Sequence, residues 1–195
     1  MGNYSVIIWL LPIVFMVHDF EEIIFFKSWV NKNKDYLAHK FPKISKRFLS
    51  RLDNLSTSAF AVAVAEEFVL LSLITLGSVL FDNYVLWLAA FMGFFAHLLV
   101  HLVQWIILKR YIPAIWTTFV ALIYCIYTFY EISVKNNIFQ TSAIVLWTII
   151  GLVLLGVNLI FAHKLAAMYD RKLKKTVVGK ENYNTAEYSV NRYFL

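Results

Sequence analysis

The chain has 195 residues, is 61% hydrophobic and carries a formal charge of +6, whereas a soluble domain sits near about 45–50% apolar. Its single cysteine, Cys125, excludes an intrachain disulfide and a cysteine-built zinc site. The basic residues gather in a few connections instead of along a stripe, which excludes a nucleic-acid surface and reads as membrane topology.

The apolar residues fall in runs long enough to cross a bilayer, so the fold class expected is all-α: a polytopic bundle of five transmembrane helices in one domain, residues 1–175. A loosely ordered cytoplasmic tail is expected over 176–195. The first helix is predicted from Tyr4 to Phe26, with Pro12 as a kink. Nothing positive precedes this run and it contains His18, Glu21 and Glu22, so it is not expected to be a cleavable signal peptide. Val6, where myristoylation wants Ser or Thr, argues against that modification.

Residues 27 to 55 hold eight Lys or Arg. Within them Ile44, Phe48, Leu49, Leu52 and Leu55 recur at helical spacing, with Lys43, Lys46, Arg47 and Arg51 on the other side. This predicts a short basic amphipathic surface helix, opened by Pro42 and drawn to anionic headgroups. A second span follows over Ser56 to Phe81, then a turn at Asp82-Asn83. The third span is Tyr84 to Leu108, the fourth Ala114 to Val134 after Pro113, and the fifth Thr141 to His163. Seventeen Lys and Arg then lie on one side of the membrane and Lys135 alone on the other. By the positive-inside rule the N-terminus is outside and the tail cytoplasmic.

Charged groups inside these spans are costly, roughly 2.5–3.5 kcal/mol for a single acid at a helix centre. His18, Asp19, Glu21 and Glu22 occupy the first span, Glu66 and Glu67 the second, His97 and His101 the third. Measured from the cytoplasmic boundary at 1.5 Å per residue, His18 lies roughly 13 Å deep, Glu66 roughly 15 Å, His97 roughly 18 Å and His101 roughly 12 Å. His18 and Glu22 share a helix face, as do His97 and His101, and two imidazoles four residues apart can chelate one ion. Ala59, Ala61, Ala63 and Ala65 on the second span, and Ala90 and Gly93 on the third, would allow close helix approach.

These residues are expected to converge on one or two divalent ions. The candidate ligands are His18, Glu21, Glu22, Glu66, Glu67, His97 and His101, with zinc favoured and iron or manganese as alternatives. Asn158 and Asp19 are candidates to support the ligands. His39 and His163 read as solvent or headgroup residues. Tyr124, Tyr127 and Glu131 read first as packing, with lining of the same cavity as the alternative.

The motif His18-x-x-Glu21-Glu22, followed by Glu66-Glu67 and by His97-Leu98-Leu99-Val100-His101, resembles the HxxEE family of bacterial integral membrane proteins. The resemblance spans roughly residues 15 to 105. It implies a bacterial plasma-membrane protein with a metal site, and implies little about reaction. A weaker likeness, to intramembrane CAAX-processing-type proteases, rests on Glu66-Glu67 and His97. It departs at Leu71, where those proteins carry Arg.

The leading function expected is a metal-dependent membrane hydrolase acting on a lipid or lipid-like substrate, with Glu21 or Glu66 as general base. The alternatives are a di-iron oxidoreductase and a cation or proton transporter. The partners expected are membrane lipids; no nucleic acid is expected, and self-association is left open.

Overall fold

The structure, a computed structural model, describes residues 5–43, 55–135 and 139–191. All its elements are helical; no strand occurs among the described residues. The first helix, α1, is Ser5–Lys40. Pro12 lies inside it and lacks an N–H, which would leave the Ile8 carbonyl without its helical donor. The Trp87 indole donates to that carbonyl at 3.2 Å, and Tyr124 donates its hydroxyl to the adjacent Ile7 carbonyl at 2.9 Å. The helix therefore passes its proline with its exposed carbonyls satisfied by neighbouring helices.

The sequence places the end of α1 near Phe26, but the helix continues to Lys40. Its extension finds partners among the carbonyls of residues 107–111. Trp29 Nε1 donates to the Tyr111 carbonyl at 2.6 Å, Tyr36 to Leu108 at 3.0 Å, and Lys40 to Ile107 at 2.7 Å. Leu37 packs with Leu108, Ile112 and Ile115 beneath these bonds. Of the amphipathic segment expected to follow, Pro42 and Lys43 are helical and residues 44–54 lie outside the described residues. Leu55 packs against a cluster of Ala59, Ala63, Ala162 and Ala166.

Helix α2, Thr57–Leu80, is N-capped by Ser56, whose Oγ accepts from Ala59 N at 3.2 Å. A turn through Asp82, at φ 49°, leads into α3, Val85–Leu108. Lys109 in the left-handed region ends α3, and the carbonyls of its last turn are those that Tyr36 and Lys40 satisfy. Helix α4, Ile115–Phe129, runs into a π-helical turn, Tyr130–Lys135. Helix α5 is one element, Thr141–Asn191, and does not stop at His163 as the apolar pattern suggests.

Among the described residues, four helices are long and apolar enough to cross a membrane: Thr57–Leu80, Val85–Leu108, Ile115–Ser133 and a stretch of α5 within Thr141–Thr176. The apolar run of α1 carries Asp19, Glu21 and Glu22, and α1 is not among the four. Large apolar side chains face outward from the bundle, including Val120, Ile123, Val153 and Ile160, each more than half exposed. Such a continuous apolar exterior suits lipid and not water.

Inside, Ile8, Leu11, Trp87, Leu88, Phe91 and Leu98 form the centre of the main core. The small residues seat α5. Ala59 and Ala63 meet Ala162 and Ala166, and a Cβ added at Gly93 would lie 3.3 Å from the Gly151 carbonyl oxygen. They draw α2 and α3 against α5, a partner that the alanine pattern alone does not identify.

Candidate metal centre

His97 and His101 project from successive turns of one face of α3, and their Nε2 atoms are 3.0 Å apart. The face of α1 that follows the Pro12 region brings His18 against them. The His18 ring lies 5.4 Å from that of His97 and 5.0 Å from that of His101, centre to centre. One nitrogen from each of the three rings falls within 4.8 Å of the others. Phe94 closes one side, edge-on to His18 at 5.8 Å.

The two nitrogens of His18 have different surroundings. Nδ1 meets Thr117 Oγ1 at 3.3 Å, while Nε2 is buried with no hydrogen-bonding partner. A buried polar atom without a partner is unusual and costly. A ring held through one nitrogen, with the other turned toward two further imidazoles, is the arrangement of a ligand histidine. The donor set could therefore hold a metal ion that accepts imidazole nitrogen.

The acids separate into distinct roles. Glu22 joins the histidines, with Oε1 3.2 Å from His101 Nε2. Glu21 is turned to α4: one oxygen accepts from the Tyr111 hydroxyl at 2.8 Å, the other from Thr117 N at 2.9 Å and Thr117 Oγ1 at 2.8 Å. Ala114, the N-cap of α4, offers no capping side chain, so Glu21 caps that helix from α1. A carboxylate there also meets the positive end of the helix dipole. Burial, and then the hydrogen bond to Glu21 and its charge, push the Tyr111 phenol pKa up, so the hydroxyl remains a donor to it.

Glu66 Oε2 accepts from Asn158 Nδ2 at 3.4 Å. Glu67 lines a cavity together with His97 and Asn158. Asp19 is buried. Of the seven ligand candidates, the structure thus brings the three histidines and Glu22 into contact. Glu21 stands one hydrogen bond behind His18, through Thr117. Among the described residues, Glu66 and Glu67 make no hydrogen bond to the imidazoles; Glu67 shares a cavity with His97.

Thr117 and Tyr111 were not singled out by the sequence reading. The Thr117-Thr118 pair in the first turn of an otherwise apolar helix is the signal that could have found one of them. His39 and His163 are exposed and away from the centre. Tyr127 is exposed, Tyr124 serves the Ile7 carbonyl, and Glu131 pairs with Lys135 at 2.9 Å; none of the three joins the histidines.

Two cavities abut the histidine pair. One, of about 720 Å³ including its open side, lies between α2, α3 and α5 and reaches Glu67, His97 and Asn158. The other, of about 1080 Å³ on the same measure, lies between α1, the end of α3 and the loop after it, and reaches Glu22, His101 and Gln104.

The model of a family described as "protein of unknown function with HXXEE motif" matches residues 9–128. This stretch covers α1 to α4 and contains all three histidines, Glu21, Glu22 and Thr117. No curated protein and no solved structure matches the chain.

Proposed function

The chain belongs to the HXXEE-motif family, and we propose that it is a multi-pass membrane metalloenzyme, a hydrolase of lipid or lipid-like substrates. The observation that carries this reading is the group of three imidazole nitrogens within 4.8 Å of one another, one of them the partnerless buried Nε2 of His18. His18, His97 and His101 would hold one ion, zinc by preference. Three protein ligands with a position left for water or substrate are the pattern of catalytic rather than structural zinc. Such an ion supplies Lewis acidity and a water acidified toward neutral pH.

The chain's own groups then divide the work. Thr117 and Glu21 orient His18. Glu22, at His101, is the acid best placed to take a proton from water, because both Glu21 oxygens are engaged and Glu66 rests on Asn158. This moves the base from Glu21 or Glu66, the residues suggested by the sequence, to Glu22. Glu67 and Asn158 face the substrate from the opposite wall. A di-iron oxidoreductase is less favoured, since ferritin-like sites need four carboxylates converging with two histidines. Among the described residues, Glu22 is the one carboxylate in contact with the cluster.

The same reading takes α1 as a fifth span, supported in the bilayer by its buried face. It puts the N-terminus outside and the basic connections at the cytoplasmic surface against anionic lipid. The test is elemental analysis of purified protein. Zinc near stoichiometry is expected, and its loss in a His97→Ala, His101→Ala variant that keeps its helical content. Glu22→Gln is expected to retain zinc and to lose hydrolysis of a long-chain p-nitrophenyl ester by about 10²–10⁴-fold, the usual contribution of a general base. Iron with visible absorbance would redirect the reading to oxidation. Protein without transition metal after purification in zinc-replete buffer would end it.

A further inference from the structure

The cavities on the two sides of the histidine pair share no lining residue. Between them stand His97 and His101, one helical turn apart, each forming part of one wall. Away from its polar end, the first cavity is lined by hydrocarbon and aromatic side chains, among them Phe15, Leu71, Ile74 and Leu155. Three of its lining residues, Leu70 on α2, Leu86 on α3 and Leu154 on α5, are also exposed on the outer face of the bundle. In a membrane, what meets that opening is a lipid chain. From His97 to Leu86 the cavity follows α3 for about 16 Å, close to the hydrocarbon depth of one leaflet, about 15 Å.

The second cavity is apolar as well, although it leads toward the basic end of the bundle. Phe26, Leu37, Phe41, Ile107 and Leu108 line it; Glu22, His101 and Gln104 bring polar side chains to its histidine end, and the Trp29 indole N–H is taken up by the Tyr111 carbonyl. Polar groups are thus confined to the junction of the cavities, with hydrocarbon walls on either side. A lipid whose polar group is terminal would place its head at the junction and leave one of these cavities without an apolar occupant.

We propose that the centre takes a lipid whose reactive polar group is internal, an ester or amide flanked by hydrocarbon on both sides. One arm lies in the α2–α3–α5 cavity and the other in the α1–α3 cavity. This rests on the reading of the histidines as a catalytic metal centre, and it narrows the substrate class of that centre.

The test is photo-crosslinking in nanodiscs of the zinc-loaded Glu22→Gln protein, in which the ester probes stay intact. The probes are a long-chain alkyl ester with a diazirine in its acyl arm and its isomer with the diazirine in its alkyl arm. Crosslinks are expected at both Leu71 or Leu155 and Phe26 or Leu108, competed by the parent ester without the diazirine and not by free fatty acid. Ala90→Leu, which adds bulk to the first cavity, should reduce labelling there by about tenfold, the effect of displacing about two buried methylenes. Gly156→Ala, which lines neither cavity and where an added Cβ meets nothing within 4 Å, should leave the labelling of both intact. Labelling confined to one cavity, or spread over outward residues such as Ile123 and Ile126, would overturn the proposal. Zinc measured on the same preparations separates the two readings: failed labelling with zinc bound refutes the internal polar group, whereas two-cavity labelling without zinc refutes the metal centre.

Discussion

The two adjacent glutamates of the His18-x-x-Glu21-Glu22 motif are chemically alike and have different partners. Glu22 faces His101, and Glu21 caps α4 through Thr117 while binding Tyr111. Thr117 therefore links the cap to His18, since its hydroxyl also lies 3.3 Å from His18 Nδ1. Thr117→Val keeps the shape and removes the hydroxyl. It is expected to weaken zinc binding about 10–100-fold, the usual cost of losing a group that orients a ligand, while helical content stays unchanged. Competition with a chelator of known affinity measures this; unchanged affinity would show that Glu21 and Thr117 act on α4 alone. His18, His97 and His101 were all legible as ligand candidates from their spacing and depth. The division of labour between Glu21 and Glu22 was not, because neighbouring residues on a helix point about 100° apart and only the neighbours on each side decide what they meet.

At the scale of the elements, α5 is held where side chains are smallest. A Cβ on Gly151 would run into the Ala89 carbonyl and its backbone, atoms that cannot rotate away. Gly151→Ala is therefore expected to separate α3 from α5 and to destabilise the bundle by about 1–3 kcal/mol, the range for overpacking a tight contact. Gly156→Ala, where an added Cβ meets nothing within 4 Å, is the matched control. Thermal unfolding in detergent compares the two, and equal midpoints would contradict the close approach. The boundaries of α2 and α3 were legible, because Ser56 and the Asp82-Asn83 turn are local signals. The ends of α1 and α5 were not. Polarity begins at Lys27 and His163, but a helix can continue in water or along its neighbours. That α1 does so depends on Trp29, Tyr36 and Lys40 reaching the end of α3.

For the whole molecule, the distribution of Lys and Arg predicts which connections share a side. In a Cys125→Ser background, Asn83→Cys and Gln140→Cys should react with an impermeant maleimide from outside intact cells. Lys109→Cys and Lys175→Cys should react only after the cells are opened. Reaction of Asn83→Cys and Lys109→Cys from the same side would remove α3 as a span. The inverse labelling pattern would reverse the orientation.

Composition and periodicity by themselves determined that the chain is helical, apolar outside and burdened with acids and imidazoles within its apolar runs. These are properties of single helices, written in spacing that a helix converts directly into faces and depths. Which of those groups touch was decided only by tertiary packing. His18 meets His97 and His101, Glu21 is drawn off to α4, and two cavities open beside the pair, because contacts between helices depend on small residues such as Gly93 and Gly151 and on how α1 passes Pro12. No local pattern encodes those distances.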